Sequence, residues 1–200
     1  GNYNKNFGLE FKKITLLSKD NNLIVNDLTI NKDNKLVKVD KIDLDYFDND
    51  NVKNKFVISR SKDGNYELKG ASLNANPIIT NLLESKDDQQ LDIFKENVEM
   101  KLNLSAVYLD NDNMVKNLNG KLRIIDNKVD HANISALFTK NENLTFTINT
   151  KDGEKITTLF SSNAKPLVKR YKFIKGFEDS DEGYLDFYSS KKDGISNSKL

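Results

Sequence analysis

Apolar and polar side chains alternate along much of this chain, and that period of two restricts it to strands with one dry and one wet face. Val98, Met100, Leu102 and Leu104 share one face, with Glu99, Lys101 and Asn103 on the other. Leu122 and Ile124 repeat the pattern, as do Ile134, Ala136 and Phe138. Leu144, Phe146 and Ile148 alternate with Thr145, Thr147 and Asn149; Leu185 and Phe187 alternate with Tyr184, Asp186 and Tyr188. Earlier, Phe56, Ile58 and Arg60 are in step. Val37 and Val39 are in step with each other but out of phase with Ile42, Leu44 and Tyr46, which predicts a bulge or tight bend near Asp40-Lys41.

Punctuation comes from Asn, Asp and Lys, since the chain has only 9 Gly and 2 Pro. Turns are predicted at Asp20–Asn22, Lys32–Asn34, Asp48–Asn51, Lys62–Asn65, Asp110–Asn113, Asp126-Asn127, Lys140–Asn143 and Lys151–Gly153. Their spacing is that of an up-and-down antiparallel sheet of roughly a dozen strands. Two stretches break the rhythm. Pro77–Ser85 and Pro166–Phe173 carry apolar residues at three- and four-residue intervals, and both start with Pro, as short helices do. Asn74-Ala75-Asn76-Pro77 also matches Asn163-Ala164-Lys165-Pro166, which predicts a weak internal repeat, 65–85 against 154–173, within a single segment spanning 1–200.

Two short helices are too little to cover the dry face of a dozen strands, which are about 4.8 Å apart and would extend nearly 60 Å in one layer. The sheet must therefore close as a barrel, fold over as a sandwich, or curl into a trough that holds something apolar. Periodicity leaves these open. The net charge of +1, from 31 basic and 30 acidic residues, provides no field for nucleic acid or an anionic surface. With no Cys, disulfides and thiol chemistry are excluded. No apolar run is long enough to span a membrane. The polar ends and the absence of an initial Met suggest a piece of a longer protein.

Catalytic patterns are lacking, and the expectation is a non-enzyme without cofactor or metal. His131, the single histidine, falls on the face opposite Ile134 and has no second nitrogen ligand for zinc. The Asp48–Asn51 and Asp110–Asn113 runs lack the Gly and Glu that a twelve-residue calcium loop needs at positions 6 and 12, so both are read as hairpin turns. Lys165, Lys169, Arg170, Lys172 and Lys175 form the one basic patch, read as a solvated helix face.

An ordered set of segments from about 65 to 190 resembles the AsmA-like family of bacterial envelope proteins, which includes the TamB and YhdP relatives. The set begins with Gly70-Ala71-Ser72-Leu73-Asn74-Ala75-Asn76-Pro77-Ile78-Ile79 and the strand Val98–Leu104. Val107–Asp110 and Val115–Leu122, similar to the family's L-x-N-x-x-G-x-L turn, come next. Ala132–Ala136, Leu144–Ile148, Ser162–Val168 and Gly183–Phe187 complete it. The chain departs from the family where Asn163 replaces an Asp, Pro166 falls near a Gly position, and Glu182-Gly183 keeps one of two glycines. The first 60 residues are consistent but add nothing.

The resemblance implies a mainly β fold: an elongated, curled antiparallel sheet forming a taco-like groove, with two short helices. It implies a lipid conduit in the periplasm, with the parent anchored in the inner membrane outside this segment. Phospholipid or another apolar ligand is the expected partner, with envelope membrane proteins as further partners and no nucleic acid. The expected lipid lane comprises Val98, Met100, Leu102, Leu104, Leu122, Ile124, Ile134, Phe138, Leu144, Phe146, Ile148, Leu185 and Phe187. The competing expectation is a closed β-sandwich or solenoid for adhesion or protein binding.

Overall fold

The computed structural model describes residues 1–4, 8–84, 97–171, 175–178 and 181–200. The predicted helix end at Ser85 and residues 172 and 173 lie outside them. Among the described residues the strands form one 14-stranded sheet that follows chain order almost throughout. They are β1 (Asn2–Asn4), β2 (Gly8–Leu17), β3 (Asn22–Ile30), β4 (Leu36–Lys38), β5 (Lys41–Phe47), β6 (Lys53–Arg60) and β7 (Tyr66–Asn74). After helix α1 (Asn76–Glu84) come β8 (Val98–Tyr108), β9 (Met114–Ile125), β10 (Lys128–Leu137), β11 (Asn143–Lys151) and β12 (Glu154–Ser161). Helix α2 (Lys165–Tyr171) precedes β13 (Leu185–Lys192) and β14 (Ile195–Lys199). The path starts at β1 and finishes at β14 without the two pairing, so the sheet is not closed into a barrel.

The predicted turns coincide with the hairpins. Asp126 and Asn127 both have positive φ, as do Asp152 and Gly153, which is the two-residue geometry that matches strand twist. A further turn of this kind, at Asp193-Gly194, has the same signature. The phase change near Asp40 is a strand break. β4 and β5 both pair with β3 on either side of Asp27, whose φ is 50°. Asp40 bridges the break, its N–H donating to Asn26 O and its carbonyl accepting from Arg60 N.

One join departs from the antiparallel expectation: β7 and β8 are parallel, with α1 in the connection between them. Alternation along each strand is equally compatible with either direction, so the pattern held no signal for it.

A line of extra residues crosses β7, β8 and β9. Ala71, Ser105 and Asn117 each shift the dry face by one position, so Gly70, Leu104 and Leu118 are followed on that face by Leu73, Val107 and Val115. Asn117 takes the left-handed conformation, φ 52°, that the extra residue requires. Two glycines lie beside this line. A Cβ on Gly70 would come within 2.3 Å of Lys55 O, and one on Gly120 within 2.5 Å of Asn133 O. Bulges and bare glycines bend strands, and here they make the dry face concave.

The concave face contains two packed regions. At the end of the strands where both helices lie, Leu104, Val107, Val115, Phe138 and Leu185 pack with Leu167 and Val168 of α2. At the far end, Val39, Tyr66, Val98 and Ile124 pack with Val25. Each fully buried Leu or Val contributes about 1.5–3 kcal/mol.

Candidate functional site

The registers align the apolar side chains into rows that run across the sheet. One row begins Ile14, Val25, Ile42, Ile58 and Leu68 on β2 to β7. It continues through Leu102, Gly120, Ile134, Phe146, Leu159 and Phe187 on β8 to β13. Only Gly120 interrupts it, where a side chain would strike Ile134. With strands about 4.8 Å apart, the row is roughly 50 Å long.

All the residues expected to form the lane lie on this concave face, but they divide into two groups. Leu104, Phe138 and Leu185 are sealed in the core beneath α2, and Val98 and Ile124 in the far core. Leu102 and Ile148 are also buried. Met100, Leu122, Ile134, Leu144, Phe146 and Phe187 are half-buried, with no second sheet above them among the described residues. The open stretch is therefore narrower than the sequence suggested, because α2 and Phe177 roof one side of it.

The lane expected from the sequence begins at Val98 and leaves out the first wall of the concave face. Leu16, Leu23, Leu44 and Tyr46 line an open, mainly apolar hollow of about 370 Å³ at the helix end. Leu16 is 61% exposed although it faces the concavity. The alternation of Ile42, Leu44 and Tyr46 held the available signal. What was not readable was the pairing of Leu16 with Leu23 and of Leu23 with Leu44, which aligns them into one wall.

A polar knot fixes the rim next to this hollow. Asp48 Oδ1 accepts from the N–H groups of Asp50 and Val52 at 3.0 and 2.9 Å. Its Oδ2 accepts from Asn54 Nδ2 at 2.9 Å and Asn74 Nδ2 at 2.7 Å. Asn74 N–H in turn donates to Asn54 Oδ1 at 2.7 Å. Burial raises the Asp48 pKa, but the hydrogen bonds from Asn74, Val52, Asn54 and Asp50 outweigh it and hold the carboxyl below its ordinary value. The run read as a hairpin turn is thus also an anchor for β7. On the convex face, Lys53 and Lys55 pair with Asp45 and lower its pKa, mainly through their hydrogen bonds.

His131 pairs with Arg123 across β9 and β10, on the face opposite Ile134. Among the described residues no group of His, Cys, Asp and Glu could hold a metal ion. The basic patch is partly structural: the Arg170 guanidinium donates to Asn76 Oδ1 at 2.8 Å and Thr80 Oγ1 at 2.7 Å, joining α2 to α1. No helix among the described residues is long and apolar enough to cross a membrane. Comparison with protein-family models, curated proteins and solved structures finds no match to this chain.

Proposed function

We propose that this chain holds the acyl chains of phospholipid against the concave face of its sheet, as a segment of a lipid-transport protein of the bacterial cell envelope. The observation that supports this reading is the apolar row shared by eleven strands, Ile14 to Phe187, on an unclosed sheet. Each CH₂ moved from water onto such a row gains about 0.8 kcal/mol. Because the row keeps its character from strand to strand, that gain changes little along it. A lipid moves along the row without a deep trap, headgroup in water, and nothing is done to it chemically. On this reading the protein belongs to the AsmA-like group and works in the periplasm between the two membranes, with its anchor outside this segment.

The test is to purify the protein, extract it and identify bound lipid by mass spectrometry, then repeat with Phe146→Glu. Phospholipid should accompany the wild-type protein and fall several-fold in the variant, whose half-buried position tolerates the change better than the core. A fully folded protein that carries no lipid, and takes none up when offered it, defeats the proposal.

A second reading, a protein-binding module, draws on the free edge of β2. β1 pairs only with Gly8, Leu9 and Glu10, and Gly1 lies against Phe11, leaving residues 12–17 of that strand without an outer neighbour among the described residues. Recovery of a stoichiometric protein partner with no lipid favours it.

A further inference from the structure

The concave face is not apolar everywhere. On β12 and β13 it changes in steps along the strands. Leu159 pairs with Phe187, Thr157 with Ser189, and Lys155 with Lys191. The sequence of pairs is apolar, hydroxyl, ammonium, and it spans about 13 Å at the usual rise of a strand. The neighbouring strands agree: Thr150 on β11 stands beside Lys155, and Ser196 on β14 beside Lys191.

We infer that this corner takes the anionic phosphodiester headgroup of an amphiphile whose chains lie on the adjoining apolar row. The inference rests on the lipid-holding reading above and narrows it to anionic lipids. Lys155 and Lys191, opposite one another, place two ammonium donors where one phosphodiester can accept from both. Thr157 and Ser189 lie between chains and phosphate, where a lipid has its glycerol and ester oxygens. Glu154 is on the convex face, where it accepts from Ser190 Oγ at 2.6 Å, and Asp152 and Asp193 are in turns. Lys155 and Lys191 each already have an interaction within the protein; what recommends them is their placement opposite one another, on the same face as Leu159 and Phe187 with Thr157 and Ser189 between. Lys155 is half-buried and Lys191 exposed, so the corner is open to a headgroup.

The experiment titrates delipidated protein with short-chain phosphatidylglycerol and with phosphatidylcholine of the same chains, each below its micelle concentration. Wild-type protein should bind the glycerol lipid about tenfold tighter, the size of one good charge-assisted contact. In the double variant Lys155→Gln, Lys191→Gln the two lipids should bind equally, with the choline lipid unchanged. Lys192→Gln, on the convex face of the same strand, should keep the preference. Equal affinities in the wild type, or a preference that survives the double variant, overturn the inference and leave the groove reading standing. Failure to bind either lipid removes both. Glycerophosphoglycerol, which has the headgroup and no chains, should not bind at concentrations that saturate with the lipid. If it does, the corner is a site for a free anion and the inference is wrong.

Discussion

Asn74-Ala75-Asn76-Pro77 and Asn163-Ala164-Lys165-Pro166 start two helices in the same way and lead to opposite pairings. In both, the Asn side-chain oxygen accepts from the backbone N–H two residues on, at 3.0 Å in Asn76 and 3.2 Å in Lys165. In both, the Ala N–H donates to the neighbouring chain, to Tyr108 O at 2.9 Å and Gly183 O at 2.8 Å. The links are equally long, residues 75–97 and 162–184, yet β8 runs parallel to β7 while β13 runs antiparallel to β12. The helices differ too. α2 buries Leu167 and Val168, at 4% and 2% exposure, whereas Ile78 of α1 is 52% exposed. Local sequence thus dictates how the chain leaves the sheet. Among the described side chains it is Leu167 and Val168 of α2 that enter the core, and the re-entry point is not set by the motif or the link length.

Leu167→Ala should have the largest effect, costing about 2–5 kcal/mol because it empties a filled site in the core. Ile78→Ala, at the corresponding position of the matching helix, should stay within about 0.5 kcal/mol. Urea titrations of both variants check this, and equal losses would erase the distinction between roof and bystander. Asn74→Ala should cost about 1–3 kcal/mol, since it removes the cap and leaves Asp48 short of a donor. Asn163→Ala removes a cap alone and should cost about 1 kcal/mol. Arg170→Met separates the two helices and should cost about 0.5–1.5 kcal/mol, since the hydrogen bonds to Asn76 and Thr80 and the contact with the Tyr171 ring are lost.

The two halves of that comparison also mark what the sequence made legible. The Asn-Ala-x-Pro starts, the Asn- and Asp-rich turns and the alternation within each strand are all local, and all were readable. Pairing direction is not local, which is why β7–β8 escaped. The bulge line through Ala71, Ser105 and Asn117 escaped for a related reason: one extra residue per strand changes the phase, and only the register shows that three such residues are neighbours. Leu104, Phe138 and Leu185 were rightly assigned to the dry face, but alternation cannot distinguish a wall open to a ligand from one roofed by a helix. Leu16, Leu23 and Leu44 become one wall only through the register of β2, β3 and β5, which alternation within a strand does not carry. The Lys155–Lys191 pairing depends on a hairpin-to-hairpin register across a 23-residue link, and nothing nearby in sequence announces it.

The smallest expected effect separates the two junctions by charge. Asn74 is held by a carboxylate, since its Nδ2 donates to Asp48 Oδ2. Asn163 is held by a hydroxyl: its N–H donates to Ser161 Oγ, and that hydroxyl donates back to Asn163 O. Only the first can titrate. Asp48 has a lowered folded pKa, so its contribution is present above the unfolded value, about 3.9. It is lost as pH falls through the lower folded value. As pH falls below about 3.9 the amides around Asn74 and the start of α1 should therefore lose hydrogen-exchange protection before those around Ala164. Asp48→Asn should be less stable than wild type at neutral pH and converge with it in acid, because the carboxylate it lacks is then protonated in both states. Parallel loss at the two junctions, or a gap between wild type and variant that persists in acid, would mean that the charge on Asp48 does not hold the first junction and that its hydrogen-bonding geometry alone does.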